Sequence, residues 1–117
     1  IYGDGSQTRS FCYVDDLVSG LIAMMASDDT VIGPINLGNP SELSIGELAT
    51  SIIHLSGSSS KITLKPIPQD DPKRRKPDTT LASSILRWGP TVELTDGLHE
   101  TIDYFRSEFA RSKKIVY

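Results

Sequence analysis

The sequence has very few of the residues that build disulfides and metal sites. It contains one cysteine, Cys12, and two histidines, His54 and His99, among 117 residues. A single cysteine excludes an intrachain disulfide and a cysteine-based zinc cluster, and the two isolated histidines lack metal-ligand spacing. We therefore expect no metal site. We interpret Cys12 as a buried thiol and both histidines as side chains of the surface or the core.

Long apolar runs and an excess of positive charge are also lacking. Because no run reaches about 18 apolar residues, we predict no transmembrane helix and no membrane partner. The 12 basic and 15 acidic residues give a formal net charge of −3, which argues against a nucleic-acid partner. A nucleophile elbow of the Gly-x-Ser-x-Gly type is absent, and Gly3-x-Gly5 is too short for a dinucleotide-binding fingerprint.

What remains is the composition of one small globular domain. Hydrophobic residues make up 38% of the chain and charged residues 23%, and 117 residues suffice for one domain but not for two. We therefore treat residues 1–117 as a single unit. Because the chain opens at Ile1, on what looks like the end of a strand and without a methionine, we expect a piece of a longer protein.

Hydrophobic periodicity and turn residues predict a mixed α and β chain with four helices and several short strands. Ser44-Ile45-Gly46-Glu47 matches a capping box, Asp78 is expected to cap the third helix, and Trp88 is expected to anchor the core. The predicted helices run from Asp15 to about Ser27, from Ser44 to about Leu55, from Thr79 to about Leu86 and from Thr95 to Ser112. The predicted strands are Thr8–Tyr13, a short one within Pro34–Pro40, and Lys61–Pro66 with Ile62 and Leu64 buried.

Two basic features stand out from the acidic background. Arg9 follows a glycine-rich turn, and the run Lys73–Lys76 lies in a polar loop, predicted from Pro66 to Pro77. Guanidinium groups bind phosphate oxygens through two parallel hydrogen bonds, so arginines are the expected ligands of a diphosphate. The alternative is a solvated loop whose cations are balanced by Asp70 and Asp71.

The order of several motifs resembles that of the extended short-chain dehydrogenase/reductase family, whose members act on nucleotide sugars. The resemblance covers about residues 1–110 and is carried by Tyr2–Leu21, Pro34–Pro40, Asp70–Asp78 and Leu86–Pro90. The Gln7-Thr8-Arg9 and Arg75-Lys76-Pro77-Asp78 forms of these motifs resemble the UDP-glucuronate decarboxylase subfamily more than the epimerases and dehydratases.

This resemblance implies an α/β fold in which the chain is a small, mixed α+β substrate-binding lobe beside a Rossmann domain. In the family that domain holds NAD and a catalytic Tyr-x-x-x-Lys pair; the present residues contain neither the NAD fingerprint nor the pair, so we expect the isolated chain to be inactive. By motif, Arg9 is expected to face the diphosphate, and Tyr2 and Gln7 to line the nucleotide pocket. Arg75 is expected to reach the UDP-sugar and to assist the chemistry through charge and positioning, since an arginine is a poor acid.

The same resemblance implies the partners of the parent enzyme. These are a UDP-sugar, NAD, the Rossmann domain and a second subunit of a homodimer, in the cytoplasm or, for an anchored eukaryotic enzyme, in the Golgi. Two alternatives stay open: the lobe of a nucleotide-sugar epimerase or 4,6-dehydratase, and a non-catalytic module that binds nucleotide sugars.

Overall fold

The computed structural model describes residues 1–70 and 72–112. These residues form four helices and a three-stranded sheet, which confirms the mixed α and β prediction. The helices are α1 (Val14–Met25), α2 (Ile45–Ser56), α3 (Thr80–Leu86) and α4 (Leu94–Ser112), and the strands are β1 (Thr8–Ser10), β2 (Glu42–Ser44) and β3 (Arg74–Arg75). Within these ranges, no helix is long and apolar enough to cross a bilayer.

Strand β1 occupies the centre of the sheet, between β2 and β3. It pairs antiparallel with β2 and parallel with β3, so that Arg9 lies opposite Leu43 on one side and opposite Arg75 on the other. Side chains alternate between the two faces of a sheet. One face therefore carries Thr8, Ser10, Glu42, Ser44 and Arg74, and the opposite face carries Arg9, Leu43 and Arg75.

Two predicted strands are not formed, and a third is shorter than predicted. The strand predicted over Lys61–Pro66 reduces to one bridge between Tyr2 and Lys65, and the side chains predicted to be buried there, Ile62 and Leu64, are 43% and 61% exposed. No second layer of described residues covers them. The Pro34–Pro40 segment forms no strand, since no neighbouring strand of the described residues pairs with it. The first predicted strand ends at Ser10 instead of Tyr13.

The capping box that the sequence predicts starts α2. The Ser44 hydroxyl accepts a hydrogen bond from the Glu47 backbone N–H at 3.1 Å, and the Glu47 carboxylate accepts one from the Ser44 N–H at 2.8 Å. At the other end, Gly57 ends the helix with φ of 66°, which glycine adopts without steric cost. The cap of α3 differs from the prediction: Thr79 is the N-cap, and the Asp78 carboxylate accepts bonds from the Thr80 N–H and hydroxyl.

Replacing Ser44 with alanine should lower the free energy of unfolding by about 1 kcal/mol, because the Glu47 N–H loses its acceptor. Urea denaturation followed by circular dichroism measures the change. Ser107→Ala, on the exposed surface of α4, is the matched control and should change stability by less than about 0.5 kcal/mol. Equal midpoints for the two variants would show that the capping box adds nothing.

Trp88 anchors the core, as predicted, and is 8% exposed. Its indole N–H donates to the Ser19 hydroxyl at 2.8 Å and to the Asp16 carbonyl at 3.1 Å. Gly20 leaves the space that the indole fills, since a Cβ at this position would lie 2.9 Å from Cε2 of Trp88. The indole therefore holds α1 against the chain that follows α3.

The Asp16 carboxylate fastens the same end of α1 to the start of α4. It is 5% exposed and accepts hydrogen bonds from the Thr91 N–H, the Thr91 hydroxyl and the Val92 N–H at 2.9–3.0 Å. Burial raises the pKa of Asp16, but these three bonds outweigh it and hold the pKa below its ordinary value. The side chain is thus a carboxylate at neutral pH.

The apolar stripe of α1 remains exposed. Its side chains, predicted from their helical spacing, are between 38% and 87% exposed among the described residues. They are Leu17, Val18, Leu21, Ile22 and Met25.

Candidate functional site

The two arginines that the sequence singles out lie side by side. Arg9 on β1 and Arg75 on β3 are register partners in the parallel pair, and both belong to the same face of the sheet. Adjacent strands lie about 4.8 Å apart, and like charges directly opposite each other are unfavourable. The Arg9 guanidinium donates to the Thr8 carbonyl at 2.8 Å, and that of Arg75 has no ion-pair partner within residues 1–70 and 72–112. The Arg75 guanidinium is therefore suited to an anion that lies on the same face as Arg9.

The opposite face of the sheet carries a neutralising carboxylate. The Glu42 carboxylate accepts two hydrogen bonds from Nε of Arg74, at 2.9 Å and 3.0 Å, and one from the Thr8 hydroxyl at 2.8 Å. Lys76 lies 3.9 Å from the same carboxylate. The hydrogen bond from Arg74, together with that from Thr8, lowers the pKa of Glu42. The basic run is thus divided between the two faces of the sheet. Arg74 and Lys76 lie near Glu42, and Arg75 lies on the same face as Arg9.

The glycine-rich turn before β1 is held by Asp4. Its carboxylate accepts hydrogen bonds from the Ser6 N–H at 2.9 Å and the Ser6 hydroxyl at 2.6 Å, which lower the pKa of Asp4. Gly3 and Gly5 have φ of 81° and 83°, values that favour glycine. A cleft of about 470 Å³ opens beside this turn. Its lining residues are Gly3, Asp4, Ser6, Gln7, Ile67 and Lys73.

Gln7 and Tyr2 meet at the turn, though in different roles. Gln7 is 7% exposed, lines the cleft and donates from its amide to the Tyr2 carbonyl at 2.6 Å. Tyr2 is 55% exposed and does not line the cleft. Part of the Gln7 amide is therefore used to hold the turn.

Two residues of this site were not found from the sequence. Glu42 was missed because β2 was not predicted, although a carboxylate two residues before a helix cap is a visible feature of the sequence. Lys73 was treated only as part of the basic run, and the structure places it in the cleft. Arg75 was expected in a loop and lies in a strand.

The histidines and the cysteine lie outside the strands that carry the arginine pair. His54 and His99 are exposed on α2 and α4, and the described residues contain no cluster of side chains that could hold a metal ion. Cys12, which we predicted to be buried, is only half-buried; burial still raises the pKa of its thiol, which disfavours the nucleophilic thiolate. Asp71, a possible counter-ion of the basic run, lies outside the described residues.

Comparison with known proteins identifies relatives of this chain. Residues 1–38 match the model of the NAD dependent epimerase/dehydratase family. The chain is 52% identical over 117 residues to UDP-glucuronic acid decarboxylase 1 of Xenopus tropicalis, covering all of this chain and 27% of that protein. It is 47% identical over 107 residues to UDP-glucuronic acid decarboxylase 1 of Arabidopsis thaliana, covering 92% of this chain and 24% of that protein. The chain thus spans about a quarter of the length of these relatives.

Solved structures agree on the fold. UDP-glucuronic acid 4-epimerase from Bacillus cereus, in complex with UDP-glucuronic acid and NAD, superposes with a TM-score of 0.84 at 35% identity, over 92% of this chain and 35% of that one. An epimerase from Methanothermobacter thermautotrophicus superposes with a TM-score of 0.90 at 30% identity, over 98% of this chain and 34% of that one. In sequence and in fold, the chain therefore resembles a C-terminal segment of the UDP-glucuronic acid decarboxylases, within the NAD-dependent epimerase/dehydratase family.

Proposed function

We propose that this chain supplies UDP-sugar contacts of an NAD-dependent UDP-glucuronate decarboxylase, an enzyme that forms UDP-xylose and carbon dioxide. The observation that carries the proposal is the pairing of Arg9 with Arg75 on neighbouring strands. A UDP-glucuronate molecule carries a diphosphate and a carboxylate, separated by the sugar ring, and two arginines on neighbouring strands offer one cation for each. Relatives with this name at 47–52% identity support the assignment.

Each arginine takes one of the two anionic groups. Arg9, on the central strand and fixed on both sides by neighbouring strands, holds the diphosphate. Arg75, on the edge strand, orients the sugar carboxylate and offsets its charge as it enters the site. A guanidinium keeps its proton, so Arg75 acts through charge and position. Gln7 holds the turn beside the nucleotide, and Tyr2, with its exposed ring, contacts the nucleotide from outside the cleft.

The residues of this chain do not fit NAD itself. The turn at Gly3 and Gly5 leads into β1, not into a helix whose N-terminus could take a pyrophosphate. No tyrosine of the sequence is followed four residues later by a lysine. NAD, which supplies hydride transfer to and from the sugar when bound, is therefore proposed to be held by a Rossmann domain outside these residues. Neighbouring structures that contain NAD support this cofactor. We also propose a homodimeric parent enzyme that acts in the cytoplasm, or in the Golgi if it is anchored.

A titration with two nucleotide sugars tests the role of Arg75. Arg75→Ala should weaken the binding of UDP-glucuronate roughly 10-fold or more, because a charge-assisted hydrogen bond is lost, and should change UDP-glucose binding by less than about threefold. The measurement is the dissociation constant from amide chemical shifts of the labelled chain, with shifts expected at Gln7, Arg9 and Arg75.

Arg111→Ala is the matched control, since it removes one positive charge from an exposed ion pair on α4. It should leave both dissociation constants within about twofold. An equal loss of affinity for UDP-glucuronate and UDP-glucose in Arg75→Ala would contradict a contact between Arg75 and the sugar carboxylate. Absence of shifts in the folded wild-type chain would contradict the proposed site.

A non-catalytic nucleotide-sugar module is the second candidate, favoured by the lack of the NAD fingerprint and of the Tyr-x-x-x-Lys pair. An epimerase lobe is the third, favoured by the fold of the neighbouring structures. Preference for UDP-glucuronate over UDP-glucose supports a site for a sugar acid. Decarboxylation by a protein that contains this chain and a Rossmann domain would support the first proposal. Epimerisation by that protein would support the third, and the absence of both reactions would support the second.

A further inference from the structure

A single carboxylate connects all three strands beneath the arginine pair. Glu42 belongs to β2, its hydrogen-bond donor Thr8 to β1, and its ion-pair partner Arg74 to β3. Since neighbouring strands lie about 4.8 Å apart, the Glu42–Arg74 pair bridges about 10 Å, across the central strand. Glu42 is thus the residue through which the edge strand is attached to the far side of the sheet.

The edge strand has little else to hold it. Strand β3 has two residues, both exposed, and its backbone is joined to the sheet by bonds such as the one from the Thr8 N–H to the Lys73 carbonyl at 3.0 Å. The Ser10 hydroxyl reaches the Arg75 carbonyl only at 3.4 Å. Isolated two-stranded pairing of this length is marginal in water. The position of Arg75 opposite Arg9 therefore depends on the side chain of Arg74, the residue before it.

We propose that Glu42 is a positioning residue for UDP-sugar binding: by holding Arg74 across the sheet, it keeps Arg75 in register with Arg9. This inference rests on the proposed function, because it assigns the register a role in binding the nucleotide sugar. It also divides the basic run by role, with Arg74 and Lys76 serving the fold and Arg75 the ligand.

The sign of the effect distinguishes positioning from simple electrostatics. Removing Glu42 deletes one negative charge near an anion site, which by Coulomb's law alone would strengthen the binding of UDP-glucuronate. Loss of register has the opposite effect. If β3 is paired for about a tenth of the time, the apparent dissociation constant rises about 10-fold.

The test compares Glu42→Ala with a charge-swapped double variant, Glu42→Arg with Arg74→Glu, in which the pair is restored with its ends exchanged. We expect Glu42→Ala to bind UDP-glucuronate about 10-fold more weakly, and the double variant to recover to within about threefold of wild type. Asp103→Asn is the control: it removes one negative charge and breaks an exposed ion pair with Arg106 on α4, and should bind as wild type does.

Hydrogen exchange without nucleotide supplies an independent readout. The Thr8 amide, which donates to Lys73 of the edge segment, should exchange about 10-fold faster in Glu42→Ala. The Ile45 amide, which donates to the Gln7 carbonyl, should change by less than about twofold. A Thr8 amide that exchanges at the wild-type rate would overturn the inference, as would unchanged or tighter binding by Glu42→Ala. Failure of the wild-type chain to bind UDP-glucuronate would instead overturn the proposed function.

Discussion

Replacing Arg9 with alanine should weaken the binding of UDP-glucuronate and UDP-glucose by a similar factor, on the order of 10- to 100-fold. The reason is that Arg9 is proposed to hold the diphosphate, which both nucleotides carry. It lies on the central strand, between Leu43 and Arg75, where the backbone on both sides fixes its position. Isothermal titration calorimetry of the chain with each nucleotide measures the two dissociation constants.

A lysine at position 9 separates charge from geometry. Arg9→Lys keeps the positive charge but loses the planar pair of donors, so its affinity should fall between those of wild type and Arg9→Ala. If lysine binds as tightly as arginine, the diphosphate is held by charge alone. If Arg9→Ala affects UDP-glucuronate only, Arg9 contacts the sugar acid and the assignment of the two arginines must be exchanged.

Replacing Trp88 with alanine should have the largest effect on stability, lowering the free energy of unfolding by about 3–5 kcal/mol. The variant removes the indole that packs against Gly20 and its two hydrogen bonds, to the Ser19 hydroxyl and the Asp16 carbonyl. The Asp16 carbonyl still accepts a bond from the Ser19 hydroxyl. Domains of this size have only about 5–15 kcal/mol in total, so a large fraction of the stability would be lost. Urea denaturation followed by near-ultraviolet circular dichroism measures the change.

Trp88→Phe is the matched variant, because it keeps an aromatic ring and removes only the N–H and part of the volume. It should cost less than Trp88→Ala, and the difference between the two reports the packing of the ring. Arg111→Ala serves again as the exposed control. A small loss in Trp88→Ala would mean that α1 is attached chiefly by the Asp16 carboxylate and its three hydrogen bonds.

The features that could be predicted from the sequence are those written in local patterns. The capping box of α2 and the four helices depend on residues within one or two turns of each other. Trp88 was expected to be buried from its size and residue type alone, although its contacts with Ser19 and Gly20 come from a distant part of the chain. The site arginines were found by another route, since Arg9 and Arg75 stand out through their charge and through the family motifs that contain them. The sequence could not predict that both arginines lie on one face of one sheet. The two residues are 66 positions apart in the sequence and pair only in the folded chain.

Where prediction failed, pairing between distant segments decided the structure. The alternation of Lys61–Pro66 has the period of a strand, but a strand also needs a neighbour along its length, and only Lys65 bridges to Tyr2. Strands β2 and β3 have three and two residues, too few to give a periodic signal. Glu42 was missed for the same reason, since its role appears only when β2 and β3 lie on either side of β1.

Because the basic run is divided between the two faces of the sheet, the face on which each cation lies matters more in this segment than the number of cations. Every residue from Lys73 to Lys76 is a cation, so sequence composition is indifferent to a shift of the strand by one position. The structure does depend on the register, because a shift by one position would exchange the faces of Arg74 and Arg75. Glu42 would then face Arg75, and Arg74 would stand beside Arg9. In the proposed site, the register that Glu42 holds therefore decides which of two chemically identical neighbours meets the ligand, and a one-residue shift would alter the site while leaving every charge in place.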